Sequence, residues 1–222
     1  ALDGNGRLWI ASLTNPYIGF IDTNLCVDQA SCEAATLCAA SGPEGTECDA
    51  DTVVKGRIPI TDGGTYGITV DFNQRVWTGG WSGGLIKRYD QMAPSGSRWA
   101  SVTSGPGNCN GIGAECPDTN GDGAVTTSSG GDVLPFGSDD CVLWRTDLPG
   151  AGLVRAVAAQ DVEGPDGELR HFVWAGGWNG RVYKLDGATG AILLDITAPA
   201  QPYGFALDGN GRLWIASLTN PY

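Results

Sequence analysis

The feature that most constrains the fold is a pattern that occurs three times along the chain. Residues 66–81 read YGITVDFNQRVWTGGW, residues 203–217 read YGFALDGNGRLWIAS, and residues 155–161 with 173–178 read RAVAAQD and VWAGGW. Each is an apolar run, a polar turn and a second apolar run, which predicts two short strands joined as a hairpin. A repeated supersecondary unit of this kind indicates a repeat architecture.

Two further strands complete each repeat. Residues 85–90 (LIKRYD) and 181–186 (RVYKLD) alternate apolar and polar side chains, as a half-buried strand does. A fourth strand is predicted at 54–60, at 142–146 and at 191–196. Because four short antiparallel strands form one propeller blade, the sequence predicts an all-β protein, a β-propeller segment with about three four-stranded blades.

We predict one propeller segment over residues 1–222, with insertions between the third and fourth strands of the first two blades. Long loops at such edges commonly carry function or stabilising crosslinks. The predicted parts are blade 1 at 1–60 with an insertion at 23–52, blade 2 at 65–146 with an insertion at 91–140, blade 3 at 153–196, and a partial repeated blade at 203–222.

Residues 1–17 recur without a change as residues 206–222. The repeat holds three blades, so two repeats would make six and close a ring, which removes exposed sheet edges. Three origins stay open: an excerpt of a longer tandem chain, an engineered overlap, or a collapsed reading of a repetitive gene. We predict self-association of two copies into one six-bladed homodimer, with the duplicated strands exchanged between chains or frayed.

Charge and composition exclude several classes. The net charge of -12 and the absence of a Lys/Arg-rich run disfavour nucleic acid as a partner. No apolar run is long enough to predict a membrane span, and neither an initiator Met nor a signal peptide is recognised, so we expect a mature piece or an excerpt.

Seven cysteines fall into two groups, one in each insertion region. Zinc is disfavoured because the chain has one histidine, His171, and no C-x-x-C pair, so disulfides are predicted. They imply an oxidising compartment: secretion, the periplasm or the cell surface. The odd count leaves one thiol free or paired between chains, and the connectivity stays open. The cysteines are Cys26, Cys32, Cys38, Cys48, Cys109, Cys116 and Cys141.

The second insertion contains DTNGDGAVT at residues 118–126. This D-x-N-x-D-G spacing supplies oxygen ligands at alternate positions, which favours a structural calcium site over a merely acidic loop. Position twelve is Ser129 rather than Glu, so the bidentate ligand has to come from elsewhere; Asp132 is nearest, with Asp139 and Asp140 beyond. The predicted ligands are Asp118, Asn120, Asp122, the carbonyl of Ala124, Thr126 and Asp132.

Four tryptophans flank Gly-Gly pairs in two of the repeats: Trp77, Trp81, Trp174 and Trp178. Packing in the core between blades is the simpler interpretation. The alternative is a shelf for sugar or hydrophobic ligands formed by Trp81 and Trp178.

The pattern at 66–77, followed by LIKRYD at 85–90, resembles the repeats of NHL-type and streptogramin lyase-like propellers. The resemblance covers the blades and neither insertion. It implies a ring with a central tunnel and ligand-binding loops on one face. Streptogramin lyase-like chemistry uses histidines with a glutamate, whereas this chain has His171 alone, which we interpret as an ordinary polar strand residue rather than a catalytic base.

Lactonase-like and phosphotriesterase-like propellers, a second comparison, hold calcium in the tunnel with inward acidic and amide side chains. Here acidic residues come at the far ends of the innermost strands, as Asp71, Asp161 and Asp208. The DGNG sequences that begin at Asp3 and Asp208 predict hairpin turns rather than metal loops.

Two functional classes follow. The first is a non-catalytic extracellular propeller, stabilised by calcium and disulfides, that binds a protein or glycan. The second is a metal-dependent propeller lyase or hydrolase whose site forms when the ring closes. The scarcity of histidines and of inward carboxylates favours the first.

Overall fold

The structure is a computed structural model, and it describes part of the 222-residue chain. The described residues are 1–4, 6–13, 17–34, 37–38, 55–59, 65–80, 85–89, 118, 120–124, 134–135, 137–138, 140 and 142–218.

Fourteen strands and one short helix are found among these residues. They are β1 (Arg7–Ala11), β2 (Tyr17–Asp22), α1 (Gln29–Ala34), β3 (Leu37–Cys38), β4 (Lys55–Pro59), β5 (Thr65–Val70), β6 (Val76–Gly80), β7 (Leu85–Tyr89), β8 (Val142–Asp147), β9 (Val154–Glu163), β10 (Leu169–Gly177), β11 (Arg181–Asp186), β12 (Ile192–Thr197), β13 (Pro202–Leu207) and β14 (Leu213–Ser217).

The strands form four separate sheets, and the predicted all-β class is confirmed. Two sheets have four strands in sequence order, β5-β6-β7-β8 and β9-β10-β11-β12, and the latter pairs antiparallel throughout. The others have the orders β1-β2-β4-β3 and β13-β14. Four-stranded meanders of this kind are the repeating unit of a propeller blade. Closure of the sheets into a ring and the number of blades stay predictions.

By packing, the chain divides into two compact units. Unit 1 comprises Ala1–Asp62 and Tyr89–Leu143, and unit 2 comprises Gly63–Arg88 and Trp144–Tyr222. The boundaries predicted for the blades and their insertions stay predictions.

Unit 1 has an aromatic core at the β1-β2 pair. Trp9 is 1% exposed, and its ring lies 5.4 Å from that of Phe20 between centroids. The two residues are directly opposite in the antiparallel register. A cross-strand aromatic pair of this kind is a main source of stability in a sheet.

The first insertion contains the helix α1, which the strand pattern does not predict. Asp28 caps its N-terminus, because its Oδ1 accepts the Ser31 backbone N–H at 2.7 Å. Cys26 and Cys32 form a disulfide across this short segment. No helix in the described ranges has the length and hydrophobicity needed to cross a bilayer.

Unit 2 is packed around β9, whose first five residues follow the burial pattern of a strand covered on both faces. Glycines bring its neighbours into backbone contact. A Cβ added at Gly67 would lie 2.7 Å from the Arg155 carbonyl oxygen, and one added at Gly79 would lie 2.4 Å from that of Val154. Strands β5 and β6 can therefore approach β9 only because these positions have no side chain.

Candidate functional site

The acidic residue after the first strand of a repeat has a defined structural partner. Asp71 accepts the backbone N–H of Arg75 at 2.9 Å and, through its other oxygen, the indole N–H of Trp77 at 2.9 Å. Asp71 is 5% exposed and Trp77 is fully buried. We call this arrangement the Asp-Trp clasp: one carboxylate closes the hairpin turn and orients a core indole.

Both copies of the duplicated segment form the same clasp. Asp3 accepts the backbone N–H four residues later and the Trp9 indole N–H, both at 2.8 Å. Asp208 makes the equivalent bonds, with Trp214 as its indole partner, at 3.0 Å each. The DGNG sequence that begins at Asp208 is the turn between β13 and β14, as predicted. The bond from the turn amide, followed by that from the indole, lowers the pKa of Asp208.

In the third repeat an amide replaces the carboxylate. Gln160 accepts the Trp174 indole N–H at 2.8 Å. The next residue, Asp161, makes a different contact, and its Oδ1 lies 2.5 Å from Nδ1 of His171. Asp71, Asp161 and Asp208 therefore each have a different hydrogen-bonding partner.

His171 connects two elements of unit 2. Its Nδ1 lies 2.5 Å from Oδ1 of Asp161, and its Nε2 lies 3.0 Å from the amide nitrogen of Asn73. Asp161 also accepts the Phe72 backbone N–H at 3.2 Å. The histidine thus joins β10 to the turn after β5.

A cavity of about 460 Å³ lies beside the Asp161–His171 pair, and Asp161 belongs to its lining. It is lined by residues 159–163 of β9 and by residues 207–209 and 211 around the β13-β14 turn. Three carboxylates, those of Asp161, Glu163 and Asp208, belong to its lining. Its wall is therefore acidic.

The first residues of β5, β9 and β13 meet in an aromatic cluster around a cation. The Arg155 guanidinium carbon lies 3.9 Å from the Trp178 ring centroid, 5.0 Å from that of Tyr66 and 5.5 Å from that of Tyr203. All four side chains belong to unit 2 and are half-buried. We call these four residues the Arg155 cluster.

The two tyrosines of the cluster share a hydrogen bond. Their hydroxyl oxygens are 2.6 Å apart, and their rings meet edge to face at 5.9 Å between centroids. This bond, followed by burial, raises the pKa of Tyr66. One hydroxyl therefore donates to the other, with a single proton between the two oxygens.

Cation-π contacts with three rings hold the guanidinium in one orientation. A stacked guanidinium keeps its N–H donors in the plane parallel to the ring, where they can meet acceptors at its edge. The cluster thus combines aromatic surface, hydroxyls and directed donors, which is the composition of a small-ligand site.

The predicted calcium loop lies in unit 1. The carboxylate of Asp118 accepts the backbone N–H groups of Gly121 at 2.7 Å and Gly123 at 2.9 Å. Asn120 accepts that of Asp122 at 2.9 Å. Gly123 has φ of 87°, which suits the sharp turn at the sixth position of such loops.

The other residues named for the calcium site lie in the same part of the sequence. Asp140 is fully buried and accepts the Asn120 backbone N–H at 3.3 Å, and Ala124 donates its N–H to Asp122 at 2.9 Å. Thr126 and Asp132 lie outside the described residues. No group of three or more His, Cys, Asp or Glu side chains is placed to hold a metal within the described part of the chain. Calcium stays a prediction.

The predicted tryptophans were interpreted either as core residues or as a ligand shelf, and the described ones differ in their surroundings. Trp77 is a core residue, whereas Trp178 stacks on Arg155 beside the tyrosines. Trp81 lies outside the described residues. The sequence analysis did not single out Arg155, but one signal was present: Tyr66, Arg155 and Tyr203 occupy the same position in the three repeats.

The sheets define the class, an all-β protein with three four-stranded sheets and one two-stranded sheet among its described residues. No family model and no curated protein matches the chain. Solved structures do match it. Streptogramin B lyase has a TM-score of 0.34 and 12% identity, over 100% of this chain and 68% of that chain. The Neurospora crassa Pan2 WD40 domain has 0.25 and 14%, over 64% of this chain and 40% of that chain. The assignment to the all-β class rests on the sheets.

Proposed function

We propose that this chain is a non-catalytic extracellular β-propeller that binds a glycan at the Arg155 cluster. The observation that supports the proposal is convergence: β5, β9 and β13 each place one aromatic or cationic residue in the same half-buried cluster. Aromatic faces pack against the C–H faces of sugar rings, and hydroxyl and guanidinium donors bind sugar oxygens. Trp178, which belongs to the predicted sugar shelf, is part of the cluster, and Trp81 lies outside the described residues.

The net charge of the protein favours one class of glycan over another. A net charge of -12 repels polyanions at a distance, so a neutral glycan is favoured over a sulfated or highly acidic one. A peptide ligand is the competing outcome, and the binding experiment below distinguishes the two.

The proposal includes structural support by calcium and by disulfides. The loop of Asp118, Asn120 and Asp122 carries the spacing that calcium requires, with Thr126 and Asp132 as further proposed ligands. The Cys26–Cys32 disulfide agrees with an oxidising compartment, which supports secretion or exposure in the periplasm or at the cell surface.

The test is binding of neutral oligosaccharides by isothermal titration calorimetry. Tyr66→Phe keeps the ring and removes one hydroxyl, so we expect about 10-fold weaker binding, and Arg155→Met about 10- to 100-fold weaker binding. Arg170→Met is the matched control, because Arg170 pairs with Asp166 at 3.0 Å with both side chains 52% exposed. Equal loss in Arg155→Met and Arg170→Met, or binding of peptides alone, would refute a glycan site at the cluster.

The alternative is a metal-dependent lyase or hydrolase. The observation that favours it is the Asp161–His171 pair beside the acidic cavity of about 460 Å³. Turnover of lactone or phosphotriester substrates that is abolished by a chelator and by His171→Gln would establish this alternative over the binding proposal.

A further inference from the structure

Two tyrosines of the Arg155 cluster are in contact although they are far apart in the sequence. Tyr66 lies in β5, and Tyr203 lies in β13, 137 residues later. Their hydroxyl oxygens are 2.6 Å apart, and their ring centroids are 5.9 Å apart at an interplanar angle of 75°. Each ring carbon ortho to a hydroxyl is next to the carbon that carries it. The ortho carbons, at which oxidised tyrosines couple, therefore lie close to this contact.

Packing against β9 and β10 fixes the positions of the two tyrosines. Gly67 of β5 lies against β9, since a Cβ added there would be 2.7 Å from the carbonyl oxygen of Arg155. A Cβ added at Gly176 of β10 would be 2.5 Å from the Cβ of Pro202, at the start of β13. Contacts this close leave little room for either strand to shift. The tyrosine pair is therefore held by the fold as well as by its own hydrogen bond.

Tyr183 of β11 provides a contrast within the same unit. Its hydroxyl donates to the carbonyl oxygen of Pro149 at 2.6 Å, and its side chain is fully buried. A backbone carbonyl cannot couple with an oxidised ring. Tyr66 and Tyr203, in contrast, are half-buried and have each other as hydrogen-bonding partners. An oxidant in solution can therefore act on this pair, and the product of the first oxidation already has a second phenol beside it.

We propose that Tyr66 and Tyr203 form an oxidative modification site, at which a peroxidase using hydrogen peroxide couples the two rings into dityrosine. Each hydroxyl loses one electron and one proton, which gives two phenoxyl radicals. A carbon–carbon bond then forms between one ortho carbon of each ring. The C–H bond at each of these carbons breaks, and its hydrogen returns to the phenol oxygen of the same ring. Hydrogen peroxide accepts the two electrons and two protons, its O–O bond breaks, and two water molecules form.

The contact favours coupling within one chain over coupling between chains. A partner held in place within the molecule has a much higher effective concentration than one that diffuses in solution. When one hydroxyl has lost its hydrogen, the other can donate to its oxygen, because a tyrosine hydroxyl both donates and accepts. The new bond would join β5 to β13 across 137 residues, and a crosslink over so long a separation restricts the unfolded chain. This modification does not depend on glycan binding.

The test is peptide mapping by mass spectrometry after the full chain is treated with a peroxidase and hydrogen peroxide. Trypsin releases Tyr66 in the peptide 58–75 and Tyr203 in the peptide 185–212, and neither peptide contains another tyrosine. We expect one joined peptide, whose mass is the sum of the two less two hydrogen atoms. Its yield should stay constant when the protein is diluted about 10-fold, because the reaction is intramolecular. The Tm of the oxidised chain should rise.

Three conservative variants separate this pair from general oxidation. Tyr66→Phe and Tyr203→Phe each keep the ring and remove one phenol, so each should lower the yield of the joined peptide by about 10-fold or more. Tyr183→Phe is the matched control and should leave the yield unchanged. If circular dichroism shows that one of the first two variants unfolds, the other variant and the dilution series decide. A yield that falls with dilution, a joined peptide containing Tyr183, or oxidation of Trp178 without any joined peptide would overturn the proposal.

Discussion

Replacing the carboxylate of the buried clasp should destabilise unit 2 strongly, whereas the same change in the exposed clasp should not. In Asp71→Ala, a fully buried Trp77 loses the acceptor of its indole N–H, and the turn loses the bond to Arg75, both now 2.9 Å long. An unsatisfied buried donor costs about 1–3 kcal/mol, and a hydrogen bond to a charged acceptor contributes about 1.5–3 kcal/mol. Because both figures count part of the same lost hydrogen bond, they cannot be added in full. We therefore expect a loss of about 3 kcal/mol in the free energy of unfolding.

The matched control is Asp208→Ala. It removes the same two bonds, 3.0 Å each, but water can replace them because Trp214 is 59% exposed. We therefore expect a change within the error of the measurement.

The assay is thermal unfolding followed by near-ultraviolet circular dichroism, with hydrogen exchange by mass spectrometry to locate the change. A loss of about 3 kcal/mol corresponds to a fall in Tm of about 6–12 °C for a protein of this size. Exchange should accelerate in β5 and β6 of Asp71→Ala. Equal Tm values for the two variants would mean that burial does not set the strength of the clasp, and the reasoning would be wrong.

Three further predictions follow from other parts of the structure. Gly79→Ala should lower Tm by several degrees, because its Cβ would lie 2.4 Å from a carbonyl oxygen of β9, whereas Gly209→Ala, with open space around it, should leave Tm unchanged in the same thermal scan. If the loop binds calcium, a concentration 100 times Kd should add about 2.7 kcal/mol to the free energy of unfolding of the segment that contains it, and Asp118→Asn should abolish both this gain and the heat of binding in calorimetry. The lowered pKa of Asp208 means that its bonds stabilise the turn above the ordinary carboxyl pKa and are lost as pH falls through the lowered value. The protection factor of the β13-β14 turn amides, which is the intrinsic exchange rate divided by the observed rate, should therefore fall as the pH is lowered below about 4. An unchanged protection factor would contradict this.

Local structure could be predicted well from the sequence because strands and turns depend on neighbouring residues. The predicted fourth strands at 142–146 and 191–196 correspond to Val142–Asp147 and Ile192–Thr197. The alternation of apolar and polar residues and the DGNG turns carry this information without reference to the rest of the fold.

The Arg155 cluster and the different burial of Trp9 and Trp214 could not be predicted in this way. Both depend on which strands pack together, and the same local sequence permits either outcome. A charged residue at the start of an apolar strand gives no sign of the three rings that surround it. The helix α1 was missed because its six residues are too few to establish a helical period.

The duplicated segment makes the chain its own host–guest experiment. Seventeen identical residues occupy two environments, so sequence, propensity and local hydrogen bonding cancel when the two are compared. Any difference in emission wavelength, quencher access or oxidation rate between the indoles of Trp9 and Trp214 then measures what neighbouring strands contribute, within one molecule and one solution.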